Sequence, residues 1–125
     1  MSVSDELLDH PRRLAAIREQ IETLVSELGA RAGFLVDEDG RPFATVGSME
    51  FRLPHPLTNL GDGEALLRAL VGEKPADAGD GGYLVERVGA RALLAVLLET
   101  PLSTPTRSAT RRRVRDSATT IAKLL

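Results

Sequence analysis

The sequence predicts an α/β sandwich: one antiparallel sheet of four strands with helices on both faces, in the order α-β-β-α-β-β-α. Three features point there. Segments near the two ends of the chain space their apolar residues three and four apart, as one face of a helix requires. Two pairs of short β-type segments are joined by Gly-containing turns, as hairpins are. One of those segments, 91–99 (RALLAVLLE), is apolar on both alternations (Leu93, Ala95, Leu97 and Leu94, Val96, Leu98), the pattern of a central strand covered on both sides.

The first helix is expected over 12–28, with Leu14, Ile17, Ile21, Leu24, Val25 and Leu28 on one face. Pro11 suits the first turn, where a missing N–H costs nothing, and Gly29 suits a left-handed stop. Arg18 and Glu22 lie four apart on the solvated face. Residues 31–37 (RAGFLVD) are too few for a helix and read as a strand buried on both faces. The turn DEDGR follows, and 42–47 returns as the second strand, with Pro42 restricted to its first position.

A loop broken by Pro54 and Pro56 leads to LTNLGDGEALLRALVG. There Leu57, Leu60, Glu64, Leu67 and Val71 share one helical phase, widened by Leu66 and Leu70. Gly61 and Gly63 each weaken a helix by about 1 kcal/mol, so the helix either begins at Asp62 or runs from Leu57 with two small residues inside. Residues 73–81 (EKPADAGDG) read as a loop. Residues 83–88 alternate Tyr83, Val85, Arg87 against Leu84, Glu86, Val88, which is a strand, and Gly89-Ala90 turns the chain into 91–99. Thr104 followed by Pro105 signals the start of the last helix. Its apolar face is Val114, Ala118, Ile121, Ala122 and Leu125, and Arg107 and Arg111 continue the same stripe toward the N-terminus. Positive charge is disfavoured near a helix N-terminus. That half of the helix is therefore expected to face acidic groups or a partner.

The 125 residues suffice for one domain: a lead at 1–11 and a single unit over 12–125. Hydrophobic residues are 42% and charged residues 27%, an ordinary globular balance. The absence of cysteine excludes disulfides, thiolate metal sites and a cysteine nucleophile. No apolar run approaches the ~20 residues of a membrane span, and no apolar signal core stands at the N-terminus, so a cytoplasmic protein with no membrane insertion is expected. Net charge is -2, yet residues 1–100 carry -7 and residues 101–125 carry +5. The basic excess lies in Arg107, Arg111, Arg112, Arg113 and Arg115. Arg112 and Arg113 point to different sides of the helix and the remaining chain is acidic, so nucleic acid is not the expected partner.

Reactive constellations are not evident. His10 and His55 have no carboxylate or second histidine at ligand spacing. Gly61-Asp62-Gly63 lacks a phosphate-loop pattern, and its aspartate would repel an anion. Asp37-Glu38-Asp39-Gly40 lacks the frame of a calcium loop and is explained as a hairpin turn. The expectation is no catalytic residue, no cofactor and no metal: a binding or interaction domain.

The ordered phrases LGARAGFLVDEDGRPFATVG, LTNLGDGEALLRALVGE and GGYLVERVGARALLAVLLE, followed by a C-terminal helix, resemble the Roadblock/dynein light chain family, in particular its bacterial MglB-like branch. The hairpin core of that family corresponds to Leu35-Val36-Asp37-Glu38-Asp39-Gly40-Arg41. The resemblance spans about residues 12–125. It implies a profilin-like or longin-like sandwich, with the second helix on one sheet face and the first and last helices on the other. It also implies a fifth strand in the place held by 73–81, a stretch whose Gly, Asp, Ala and Pro make a poor strand.

The same resemblance implies a non-enzymatic homodimer that serves as scaffold or regulator for a Ras-like small GTPase of the MglA type. MglB-type members stimulate hydrolysis by remodelling the GTPase's own active site. On this reading Leu57, Leu60, Leu67 and Val71 are the expected dimer or partner contacts. Arg107, Arg111 and Arg115 are expected to belong to an interface as well. The alternative is a structural scaffold that self-assembles, or docks in a larger complex, without a GTPase.

Overall fold

Strands that are apolar on both alternations are stable only where both faces are covered, which places them at the centre of a sheet. The computed structural model, which describes residues 3–37, 42–47, 82–98 and 104–125, has this arrangement. Strands β1 (Ala32–Asp37), β2 (Pro42–Gly47), β3 (Gly82–Val88) and β4 (Ala92–Leu98) form one sheet in the order β2-β1-β4-β3. Every neighbouring pair is antiparallel. Central β1 and β4 are buried along their whole length, and Pro42 opens an edge strand, where its missing N–H is tolerated.

Three helices are described: α1 (Val3–Leu8), α2 (Pro11–Leu28) and α3 (Thr104–Ala122). All three bury side chains in one cluster on one side of the sheet. Ile17, Ile21 and Leu24 of α2, with Val114, Ala118 and Ile121 of α3, meet Leu35, Leu84, Leu94 and Val96. The first long helix and the last thus share a face, as the family resemblance implied. The other side of the sheet carries a second buried cluster: Ala32, Phe34, Val36, Tyr83, Leu93, Ala95 and Leu97. No described helix contributes to it. The helix expected within 57–71, the weak strand at 73–81 and the turn after Asp37 lie outside the described residues.

Local chemistry fixes the joints. Gly29, at φ 61°, ends α2. Its N–H donates to the Ser26 carbonyl at 3.3 Å and that of Ala30 to the Val25 carbonyl at 2.9 Å. This is the paired closure that satisfies the last carbonyls of a helix. Register slips by one residue between Gly33 and Leu35, which face Val46 and Phe43. Ala44 absorbs the extra residue of this bulge at φ 52°, a left-handed conformation usually left to glycine.

Residues 1–11 read as a lead in the sequence, yet α1 is part of the packed structure. Its Val3 and Leu7 are buried in the helix-side core. Ser4 Oγ donates to the fully buried carboxylate of Asp37 at the end of β1. Arg91 Nη1 donates to Glu6 Oε2 at 2.6 Å, tying α1 to the turn between β3 and β4.

Candidate interaction site

The last helix is anchored by few apolar residues and carries five arginines, so its charges decide what its surface can do. Val114, Ala118 and Ile121 hold it to the sheet. Around that anchor the arginines take different environments. Arg107 and Arg111 are half-buried, consistent with their place on the stripe of Val114 and Ala118. Arg112 is exposed.

Arg113 reaches across to α2. Its Nε donates to Glu27 Oε2 at 2.6 Å and its Nη1 to Ser117 Oγ at 2.7 Å, which satisfies a hydroxyl on a buried residue. Arg115 lies on another side, where its Nη2 is 3.5 Å from Glu86 Oε1 on β3. Its side chain remains 65% exposed, so this pair is largely screened by water.

The arrangement makes two kinds of positive group. Arg113 is a structural clamp, because both its partners belong to the chain and its hydrogen bonds are short and charge-assisted. Arg112 and Arg115 present charge outward, and Arg107 and Arg111 sit at the margin between core and solvent. Such a surface is complementary in charge to an acidic one. Among the described residues no group of three or more His, Cys, Asp or Glu is placed to hold a metal ion.

Of the residues expected at an interface, Arg107, Arg111 and Arg115 are on α3 as described; Leu57, Leu60, Leu67 and Val71 lie outside the described residues. Sequence reasoning missed the role of Arg113. Its acidic partner Glu27 is 86 positions away, and nothing local to either residue announces the pair.

The sequence matches no family model and no curated protein. Solved structures do match in fold. One described as MglB with a tetrameric arrangement shares 19% identity, covers 90% of this chain and 89% of its own, and superposes with a TM-score of 0.58. Myxococcus xanthus MglB shares 20% identity over 88% of this chain and 97% of its own, with a TM-score of 0.49. The gliding protein MglB from Thermus thermophilus shares 18% identity over 91% of both chains, with a TM-score of 0.49. The first of these likenesses shows the fold, a roadblock or longin-like α/β sandwich. In this chain the described part of that fold is an antiparallel β2-β1-β4-β3 sheet with α2 and α3 packed on one side of it. No described helix is long and apolar enough to cross a membrane.

Proposed function

We propose that this chain is a non-enzymatic regulatory module that forms a homodimer in the cytoplasm and binds a Ras-like small GTPase of the MglA type. The observation that carries the reading is the likeness of fold to MglB over 90% of the chain. The chemistry of α3 is compatible with it: outward arginines on a helix whose other side is fixed to the sheet give a rigid surface for an acidic partner. Leu57, Leu60, Leu67 and Val71 are the proposed apolar contacts for the dimer or the GTPase. Arg107, Arg111 and Arg115 border the same or a second interface. The module acts on hydrolysis by repositioning groups of the GTPase itself.

The experiment uses the purified chain and a Ras-like GTPase encoded in the same genome, loaded with GTP. Single-turnover hydrolysis is followed with and without the chain, and complex formation is followed by titration calorimetry. A saturable complex with a changed hydrolysis rate is expected. No complex and an unchanged rate with every such GTPase of the genome would rule the proposal out.

The charge split between residues 1–100 and 101–125 favours a second reading, a scaffold that assembles with itself or docks in a larger complex without a GTPase. That reading predicts an assembly that grows at low salt and shrinks when screening shortens electrostatic reach.

A further inference from the structure

Helix α1 has six residues, too few to be stable alone, so its order comes from what it packs against. It cannot merge with α2. Pro11 opens α2, and a proline disfavours the helical region for the residue before it; His10 stands at φ -132° and ψ 68°. The N–H groups of Asp9 and His10 turn back to the Glu6 and Leu7 carbonyls at 3.2 and 3.0 Å. Helix α2 begins afresh, with Leu14 N–H on the His10 carbonyl at 3.1 Å. The joint leaves α1 two states: folded back on the sheet, or released.

Folded back, it is held at one corner. Asp37 ends β1 and pairs with Ala92, the first residue of β4, and Arg91 directly precedes that residue. Ser4 Oγ donates to the Asp37 carboxylate, and Arg91 Nη1 donates to Glu6 Oε2. Val3 and Leu7, four apart on the same side of α1, enter the core. The Glu6–Arg91 pair is half open to water and adds little. Asp37 differs: it is fully buried, where a carboxylate is costly unless hydrogen-bonded, and α1 brings it a donor.

We infer that α1 is a charge-sensitive strap, which opens at this corner as a unit while the sheet and the long helices stay folded. The hydroxyl of Ser4 on the Asp37 carboxylate holds it shut. Negative charge at position 4 opens it, because that charge meets a buried carboxylate where water screens poorly. The helix itself does not oppose such charge, since an acidic residue in the first turn favours a helix. Loosening by an acid at position 4 is therefore owed to Asp37. Opening needs no GTPase and no second copy of the chain.

Hydrogen exchange on the full chain, read amide by amide by NMR, tests it. In the unaltered protein the Asp9 and His10 amides are expected to be at least about tenfold less protected than those of β1 and β4, because opening the strap is a smaller step than unfolding. Ser4→Ala removes the donor and speeds their exchange about tenfold. Ser4→Asn and Ser4→Asp crowd the corner equally, and only the second adds charge; Ser4→Asp is expected to exchange at least about threefold faster than Ser4→Asn. Adding Asp37→Asn to Ser4→Asp replaces repulsion by an amide donor and abolishes that excess. The β1 and β4 amides report in each variant that the core is folded, and the Ser4→Asn comparison decides alone if Asp37→Asn disturbs β1. The inference is overturned if Asp9 and His10 open only together with the core, if Ser4→Asp exchanges no faster than Ser4→Asn, or if Asp37→Asn leaves the excess in a folded protein.

Discussion

Replacing Gly33 by alanine probes the closest approach of helix to sheet. Gly33 is on the α2 side of β1, and a Cβ added there would stand 2.8 Å from Ile21 Cγ2 and 2.9 Å from Val25 Cγ2. Carbon atoms pack at about 3.5–4.0 Å, so α2 must retreat by roughly 0.5–1 Å. Rotation cannot relieve the clash, because both neighbours are β-branched residues in a helix and hold essentially one χ1 rotamer. Ile21 is fully buried, so the displaced helix also loosens its contacts with the rest of the core. Overpacking of this kind costs about 1–3 kcal/mol. Against it stands the reduced freedom of the unfolded chain, worth about 0.4–1 kcal/mol. The expected net loss is about 1–2 kcal/mol, read from urea denaturation as a lower midpoint at an unchanged slope. Removing one of the clashing methyls restores part of the loss: Gly33→Ala with Val25→Ala destabilises less than the sum of the two single variants. A Gly33→Ala protein as stable as the parent, or strictly additive variants, would refute the packing described for α2.

Other substitutions separate structural from surface roles. Arg113→Ala is expected to cost about 1 kcal/mol, since it breaks the link to Glu27 and leaves the Ser117 hydroxyl without its charged donor; Arg115→Ala, whose pair with Glu86 is long and exposed, shifts stability by less than about 0.3 kcal/mol in the same denaturation series. Ala44→Gly is expected to leave stability within about 0.5 kcal/mol of the parent, because relief of the strain at φ 52°, about 1–2 kcal/mol, is offset by the greater freedom of glycine in the unfolded chain and by the loss of a buried methyl; a fall of more than about 1.5 kcal/mol in urea denaturation contradicts the bulge. Leu7→Ala is expected to cost about 2 kcal/mol, measurable as a fall in urea midpoint, whereas a neutral result would mean that α1 does not belong to the core.

The two hairpins and the long helices were legible because periodicity and turn residues encode them directly. Leu93 to Leu98 alternate within an unbroken apolar run, which is what the central strand of a covered sheet needs, and β4 is that strand. Pro11 and Gly29 mark the ends of α2 to within a residue. The short helix α1 was not legible. Six residues are too few to nucleate a helix alone, and its attachments run to Asp37 and Arg91, far along the chain. The bulge at Ala44 was hidden for a related reason: an alanine in the left-handed region carries no local mark, and the slip is imposed by the pairing of β1 with β2. At the candidate site the cluster of arginines was plain in the sequence, but the division of labour within it was not. Arg113 and Arg115 are two positions apart, and only the placement of α2 and β3 makes one a clamp and the other a surface group.

Amide hydrogen exchange of the chain, alone and saturated with a GTP-loaded Ras-like GTPase from the same genome, tests the partner-binding reading most directly. The prediction is slowed exchange over 57–71 and along α3, where the proposed contacts lie, with the central strands β1 and β4 unchanged. Identical exchange in every segment, with and without the GTPase, would contradict it.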